Sequence, residues 1–567
     1  MIDEFTKKKI ENLFSKNKYE ELIKFSELSI EPSKRPPSLS NLIGVCKIFK
    51  KDRSKDDIQS ALIYFEEAYL NGKKTVHGLN GLTHLISIGL QFLSKYSELS
   101  LFIIKAEKFY LESEKYFERN EIFLRAGLLL YSYLLDNDKI KKVCDQIIKS
   151  DAKSKIIRSL SLFQQNYFYD WSQKDHFENA KLNSKYFSKL NVKTIKEIDY
   201  VNNKKINIGF VSCDLARNHS TTFFIKDTIK HLNKSKFKVH IFSFVKIDLR
   251  DDSQNEMRNL SDEWFDLEKF NNQQSVNLIQ EKKINILIDM MGFTGSDRLD
   301  IFNSRVAPIQ ISWLAYCNTL GFETIDHIIA DENLIIEEEE KLYTEKVIKL
   351  PEIWNSHSGF NFKRKFNNLP SLDNKIFTFG SFNNFRKISD ETIEVWSKIL
   401  EKVPNCKLIL KSSSFCDTTL LLNKFKKNNL DKKIEILDKK NFFEKKDHLE
   451  LYNTIDVALD TFPYNGVTTT FEALWMNVPV IVLKGYNFNS RCGESIIKNT
   501  KLNYLVAPNT NEYIERAISL SKNKKKLITL RKKLYDTVLS TPLFDTKNFT
   551  KNLTNSLLDI HYTYKFS

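Results

Sequence analysis

The chain has 567 residues, more than one hydrophobic core can serve, because single cores stop growing near roughly 250–300 residues; two or three domains are expected. Its 41% hydrophobic and 12% aromatic content excludes a largely disordered chain. The net charge of +15 comes almost wholly from scattered lysines, with no arginine-rich or aromatic-interleaved stripe, which fits a solvated surface better than a nucleic-acid interface.

The seven cysteines, Cys46, Cys144, Cys213, Cys317, Cys406, Cys416 and Cys492, are odd in number and widely spaced, with no C-x-x-C pair. Neither a zinc site nor a disulfide framework is indicated, and a reducing cytosol is the expected setting. The first residues, Met1 to Thr6 and then three lysines, contain no apolar signal core. The longest apolar stretches, near Ala126–Leu135 and Val478–Leu483, fall short of the ~20 residues that a spanning helix needs. The expectation is a cytoplasmic protein with neither membrane nor nucleic acid as partner.

Residues 1–195 read as helical. Leu22, Ile23 and Phe25, then Ala61, Phe65 and Ala68, then Leu128, Leu129, Tyr131 and Leu135 recur at helical spacing. Pro32, Pro36 and Pro37 break the first pattern into short paired helices. Asn41 to Gly44, followed by Ala61, Phe65 and Ala68, is similar to a tetratricopeptide unit, in which a small residue lets paired helices approach and a large one fills the gap. Later stretches are degenerate, and a plain helical domain is the alternative. A polar linker is expected over Val192–Lys205.

From 205 to 352 strands and helices alternate. Ile206–Ser212, Lys238–Phe244 and Ile284–Met290 read as strands, with helices over Thr222–Leu232 and Val276–Lys282. After a polar connection, Ser356–Lys375, the alternation restarts over 373–567. Phe377–Gly380 and Lys407–Lys411 flank a helix over Thr392–Val403, and Lys433–Leu437, Val457–Leu459 and Val478–Leu483 supply further strands before closing helices. Such alternation predicts two α/β, Rossmann-like lobes with parallel sheets. Ligands bind beyond the carboxyl ends of such strands, which directs attention to the loops there.

The segment from Asp460 to Glu472 (DTFPYNGVTTTFE) leaves a strand, turns at Pro463 and Gly466, and enters a helix. Thr468, Thr469 and Thr470 set hydroxyls beside the unpaired amides of a helix start, an anion cradle that the helix dipole favours. An ordinary threonine N-cap is the plainer alternative, although three threonines exceed what a cap requires. Glu472, one turn in, suits ribose hydroxyls. After the first strand of the second lobe come Asn383, Asn384, Phe385, Arg386 and Lys387. A lysine there can offset charge growing on a leaving nucleotide; by position alone, Lys387 is one lysine among many.

These two segments, with Asp289 to Thr294 (DMMGFT), Arg305 to Tyr316 (RVAPIQISWLAY) and Ser540 to Asp545 (STPLFD), resemble the catalytic region of the protein O-linked N-acetylglucosamine transferase and SPINDLY family of glycosyltransferases. The resemblance runs from about Ile206 to the last residues. It implies a GT-B type catalytic part with two Rossmann-like lobes behind an all-α, tetratricopeptide-like region, and inverting, metal-independent sugar transfer to Ser/Thr hydroxyls of proteins. Carried over residue by residue, it implies that Lys387 contacts the donor diphosphate, that Thr468 and Thr469 bind phosphate, and that Glu472 binds ribose. Lys445 and His448 match residues that hold the nucleobase, and Asn384 and Thr470 join the donor side. His219 matches a histidine at the acceptor face. Thr319 and Gly321 lie in the stretch corresponding to an acceptor-side glycine-rich loop.

Departures concern the donor. Val467 stands where animal O-GlcNAc transferases have histidine, Glu472 where they have aspartate, and Asn384 where they have glutamine. Phe379–Asn384 and Asp460–Tyr464 are closer to SPINDLY proteins, some of which transfer fucose from a guanine nucleotide. The expected co-substrate is UDP-GlcNAc, with GDP-fucose or a glucose nucleotide as alternatives, and no cofactor is expected. The first lobe has no D-x-D pair to hold a metal, so amino-acid donors are expected to act as the electrophile. His219, the donor phosphate or a water chain is expected to take the acceptor proton. The helical region is expected to grip protein acceptors on a concave face. A small-molecule or lipid glycosyltransferase is the alternative among enzymes. Outside enzymes, it is a nucleotide-sugar-binding repeat scaffold, against which Lys387, Thr468 and Thr469 argue.

Overall fold

The computed structural model describes residues 3–93, 99–195, 204–215, 219–294, 297–411, 416, 418–437 and 445–566. Of the expected linker, residues 196–203 lie outside the described ones. The chain divides into two compact units, Met1–Ser154 with Phe415–Leu420, and Lys155–Ser414 with Leu421–Ser567. The helical stretch read as 1–195 therefore contributes helices to both.

The first unit is helical throughout its described residues, with helices over Glu4–Ser15, Tyr19–Ser29, Pro37–Phe49, Lys55–Asn71, Val76–Leu93, Leu99–Phe117, Glu121–Leu134 and Asn137–Lys149. Their starts follow capping chemistry. Ser54 and Asp57 form a reciprocal capping box, and Asn120 and Asp136 accept first-turn amides. Helix pairing follows the small-against-large rule read from the sequence. A Cβ on Gly44 would come within 2.5 Å of the Phe65 ring, and one on Gly81 within 2.8 Å of Ala68 Cβ. The stretch is tetratricopeptide-like in this sense, a run of paired helices.

The second unit carries two parallel sheets. In the first lobe, β1 (Ile206–Ser212), β2 (Phe237–Ser243), β3 (Glu263–Asp266), β4 (Ile286–Asp289), β5 (Ile309–Ser312), β6 (His327–Asp331) and β7 (Lys346–Leu350) are ordered β3-β2-β1-β4-β5-β6-β7. In the second, β8 (Phe377–Ser381), β9 (Cys406–Lys411), β10 (Ile434–Leu437), β11 (Val457–Leu459), β12 (Val480–Leu483) and β13 (Val506–Ala507) are ordered β10-β9-β8-β11-β12-β13. Every pairing is parallel, for example Ile208 beside both Val239 and Ile286, and Gly380 beside both Ile409 and Ala458. Strands buried on both faces read as apolar runs, and Ile208, Phe210, Ile286, Ile288, Leu408, Leu410, Val457 and Val482 are fully enclosed. Both orders reverse beside their first strand, between β1 and β4 and between β8 and β11. Crevices at such reversals, beyond the carboxyl ends, bind ligands.

The lobes are tied by specific bonds. Arg491 makes a bidentate pair with Glu339 at 2.6 and 2.8 Å, and Ser495 donates to Asp331 at 2.6 Å. The segment from the helix Lys155–Gln164 through the turn Gln165–Tyr167 to the helix Gln173–Ser184 straddles both lobes: Gln173 donates to Asn318 of the first, and the Asn166 carbonyl accepts from Asn489 of the second. The last helix, Thr546–Phe566, returns to the first lobe, where Phe549 stacks on Trp313. The stretch read as a polar connection is a packed crossover. His357 is buried among Phe224, Phe360, Phe471 and Phe544.

Candidate active site

A cavity of about 850 Å³ opens between the lobes, lined by loops that follow β1, β4, β8 and β11 and by the end of β9. On the second-lobe side, β8 runs into a short 3-10 turn, Phe385–Lys387, which Asn384 caps by accepting the Arg386 amide at 3.1 Å. That turn delivers Lys387 to the cavity. Its ammonium donates to the Asn465 carbonyl at 2.8 Å and sits 3.9 Å from the centre of the Tyr464 ring. An ammonium has three N–H donors, so the bond to Asn465 aims the group without consuming it. Burial pulls the Lys387 pKa down to about 8, against the pull of the Asp460 carboxylate.

Asp460 ends the β11 segment and shapes the next turn. Its Oδ1 accepts from the Gly466 amide at 2.8 Å, the Thr461 amide at 2.9 Å and Asn383 Nδ2 at 3.2 Å. Burial raises this carboxyl to about 7, partly offset by the Gly466 bond and the Lys387 charge. The turn opens into the helix Thr468–Trp475, whose N-cap, Val467, supplies no side-chain bond. First-turn amides lack intrahelical partners, so the uncapped end carries the positive pole of the helix into the cavity beside Lys387. Thr468 and Thr469 both line it, with the Thr469 hydroxyl held by Asn383 Oδ1 at 2.7 Å. The Thr470 hydroxyl instead turns back onto the Gly466 carbonyl at 3.0 Å, and Thr470 is buried off the cavity.

Deeper in the second lobe runs a chain of polar groups. Lys411 Nζ donates to His448 Nδ1 at 2.7 Å, and His448 Nε2 lies 2.8 Å from Glu472 Oε2. The lysine has only protons to give, so the neutral ring bears its proton on Nε2 and donates it to Glu472. The Tyr452 hydroxyl also reaches Glu472, at 3.0 Å. Lys445 begins the helix Lys445–Glu450 that holds His448; its side chain is outside the described ones.

The first lobe supplies the opposite wall, including Asp214, His219, Thr294, Leu314, Trp354 and Asn355. His219 caps the helix Ser220–His231, its Nδ1 accepting from the Thr221 amide at 3.4 Å, while Nε2 is 3.9 Å from Asp214. Of the motif around it, residues 216–218 lie outside the described ones. Thr319 and Gly321 are not brought to the cavity. The Thr319 hydroxyl donates to buried Glu345 at 2.7 Å, and Gly321 (φ +74°) lies where a Cβ would strike the Ala180 backbone at 2.4 Å. Among the described residues, no group of three or more His, Cys, Asp or Glu converges as a metal-holding set, and no helix is long and apolar enough to cross a membrane.

Lys387, Asn384, His448, Thr468, Thr469, Glu472 and His219, read from the sequence, thus meet at one cavity. Sequence reasoning missed Lys411, Asp460, Tyr452 and Trp354. Lys411 ends a strand that was recognised, so the carboxyl-end rule could have found it; Trp354 sits in no motif.

The profile of glycosyl transferase family 41 matches residues 181–358 and 362–553. A probable UDP-N-acetylglucosamine–peptide N-acetylglucosaminyltransferase SPINDLY of Solanum lycopersicum is 30% identical over 413 residues, 72% of this chain and 44% of that protein. The Arabidopsis thaliana protein named as the corresponding SEC enzyme is 29% identical over 366 residues, 62% of this chain and 37% of its own length. The chain thus spans less than half of these relatives. Among solved structures, a mutant of the Thermobaculum terrenum O-GlcNAc transferase superposes with a TM-score of 0.78 at 22% identity, covering 94% of this chain and 99% of that one; at that identity the likeness is one of fold.

Proposed function

The chain belongs to glycosyl transferase family 41, and from that premise we propose that it is a protein O-GlcNAc transferase-like enzyme that moves N-acetylglucosamine from UDP-GlcNAc to Ser/Thr hydroxyls, with inversion and without a metal. The observation that carries the reading is the half-buried Lys387 ammonium beside the uncapped end of the helix Thr468–Trp475. A departing nucleoside diphosphate gains negative charge as the glycosidic bond breaks. A fixed ammonium and helix-end amides in a sheltered cleft stabilise that charge more than they stabilise the ground state. Glu472, presented by His448 and Tyr452, takes the ribose, and the base lies toward His448 and Lys445.

The acceptor hydroxyl approaches from the first-lobe wall and attacks the anomeric carbon on the face opposite the diphosphate. The bond of His219 Nδ1 to the Thr221 amide puts the neutral ring's proton on Nε2. In that tautomer the imidazole orients the hydroxyl by donating, and the hydroxyl proton leaves late, to a donor phosphate oxygen or to water. His219→Ala then slows transfer without ending it; complete loss makes the histidine the base instead. The helical first unit serves acceptor recognition.

Thermal-shift titration with UDP-GlcNAc, UDP-glucose and GDP-fucose tests the donor, since a ligand that binds only the folded state raises the melting temperature with its occupancy. UDP-GlcNAc is expected to give the largest rise. A response to GDP-fucose alone transfers the assignment to a SPINDLY-like O-fucosyltransferase, the reading favoured by Phe379–Asn384 and Asp460–Tyr464. A response to none refutes transfer.

A further inference from the structure

Three polar atoms on the first-lobe wall are buried without a partner: the Trp354 indole Nε1, the Asn355 Oδ1 and the Thr294 Oγ1. All three residues line the cavity opposite Lys387. Trp354 and Asn355 are each only 1% exposed, so bulk water does not serve them. Native proteins pair nearly all such groups, because an unmade bond at a buried donor or acceptor is costly.

Trp354 is held at its backbone and packed at its ring. Its amide donates to Asp331 Oδ2 at 3.2 Å, its carbonyl accepts from Trp313 Nε1 at 2.9 Å, and its ring meets the edge of Phe488 at 6.0 Å. A donor and an acceptor on two adjacent residues, both lining one cavity, form a template set before any ligand arrives.

We propose that Trp354 and Asn355 form a binding site for a secondary amide, the indole N–H donating to its carbonyl and the Asn355 oxygen accepting its N–H. An amide carries its donor and acceptor on opposite edges of one plane, so a single group serves two separate partners. A lone hydroxyl holds both functions on one atom. The Thr294 hydroxyl, able to give or accept, belongs to a residue lining the same cavity. This deepens the proposed function and rests on it, for both substrates named there contain a secondary amide: the main chain of the acceptor and the N-acetyl group of the sugar.

The test reads the indole directly. In a ¹H–¹⁵N spectrum of the full chain, the Trp354 signal is identified as the indole resonance, among those of six tryptophans, that Trp354→Phe deletes. It is then titrated with a capped serine peptide, UDP-GlcNAc, UDP-glucose and UDP. A shift with the peptide alone assigns the amide to the acceptor. A shift with UDP-GlcNAc beyond that with UDP-glucose assigns it to the sugar. Either result supports the site. No shift with either amide, or equal shifts with both UDP-sugars and none with peptide, overturns it. In kinetics, Trp354→Phe and Asn355→Leu should each raise the acceptor KM, or lower the preference for UDP-GlcNAc over UDP-glucose, by about five- to tenfold, the worth of one neutral hydrogen bond. UDP binding stays unchanged. If the functional reading itself fails, UDP and its sugars do not bind the wild type at all, while the peptide arm still reports on the amide site.

Discussion

Raising the pH strips Lys387 of its proton before an ordinary lysine loses its own. Burial beside the Tyr464 ring lowers its pKa from 10.5 to about 8, a difference worth roughly 3 kcal/mol at 1.36 kcal/mol per unit. If the ammonium stabilises the leaving diphosphate, kcat/KM falls tenfold per pH unit above about pH 8, because that ratio reports the free enzyme. Bound phosphates raise the lysine pKa again, so the same limb in kcat moves to higher pH. The assay is steady-state transfer from UDP-GlcNAc to a serine peptide between pH 6.5 and 9.5. Lys387→Met should lower kcat by about 10²–10³, the usual cost of losing one aimed electrophilic group, and the limb should vanish from its residual rate. A wild-type profile flat through pH 9.5, or an unchanged limb in Lys387→Met, removes Lys387 from the role of stabilising the leaving diphosphate.

Lys411→Met removes the group that fixes the His448 tautomer and should weaken UDP binding by about three- to tenfold while leaving kcat near wild type, by the worth of one or two neutral hydrogen bonds; calorimetry with UDP checks this. Gly44→Leu drives a side chain into the Phe65 ring, which a single Cβ would already approach to 2.5 Å, and should cost the helical unit about 1–3 kcal/mol. Hydrogen exchange should show earlier opening within residues 37–93, with UDP binding retained. Asp289, whose carboxyl burial raises to about 7 despite bonds from the Met291 and Gly292 amides, holds its proton in the folded state after the unfolded chain has released it. Its contribution is full below pH 3.8 and is lost as pH climbs through 7, on the order of 4 kcal/mol by linkage. Asp289→Asn, which stays neutral at every pH, should therefore melt close to wild type near pH 4, and wild type should fall below it by pH 7.5.

The lobes were readable where apolar residues dominate a strand. Ile206–Ser212 and Val457–Leu459 appear with the predicted bounds, and Ile434–Leu437 within a residue. β3, β5, β6, β7 and β13 went unread: Glu263–Asp266, His327–Asp331 and Lys346–Leu350 mix charge with apolar residues, Ile309–Ser312 and Val506–Ala507 are short, and pairing in the sheets outweighs such weak local patterns. At the site, residues within contiguous motifs were visible: Lys387 after β8 and the threonines after β11. Lys411 and Trp354 were not, because each acquires its meaning from contacts with residues distant in sequence, His448 for one and Trp313 and Asp331 for the other. Thr319 and Gly321 show the converse. A loop carried over by resemblance is occupied here by structural bonds to Glu345 and a close approach to Ala180.

In the proposed mechanism one ammonium and one helix end receive the leaving diphosphate. A crystal structure of the chain with UDP measures it directly. Phosphate oxygens are expected within hydrogen-bonding distance of Lys387 Nζ and of the Thr468 and Thr469 amides. Phosphates seated elsewhere in the cavity, with Lys387 still bound only to the Asn465 carbonyl, would contradict it.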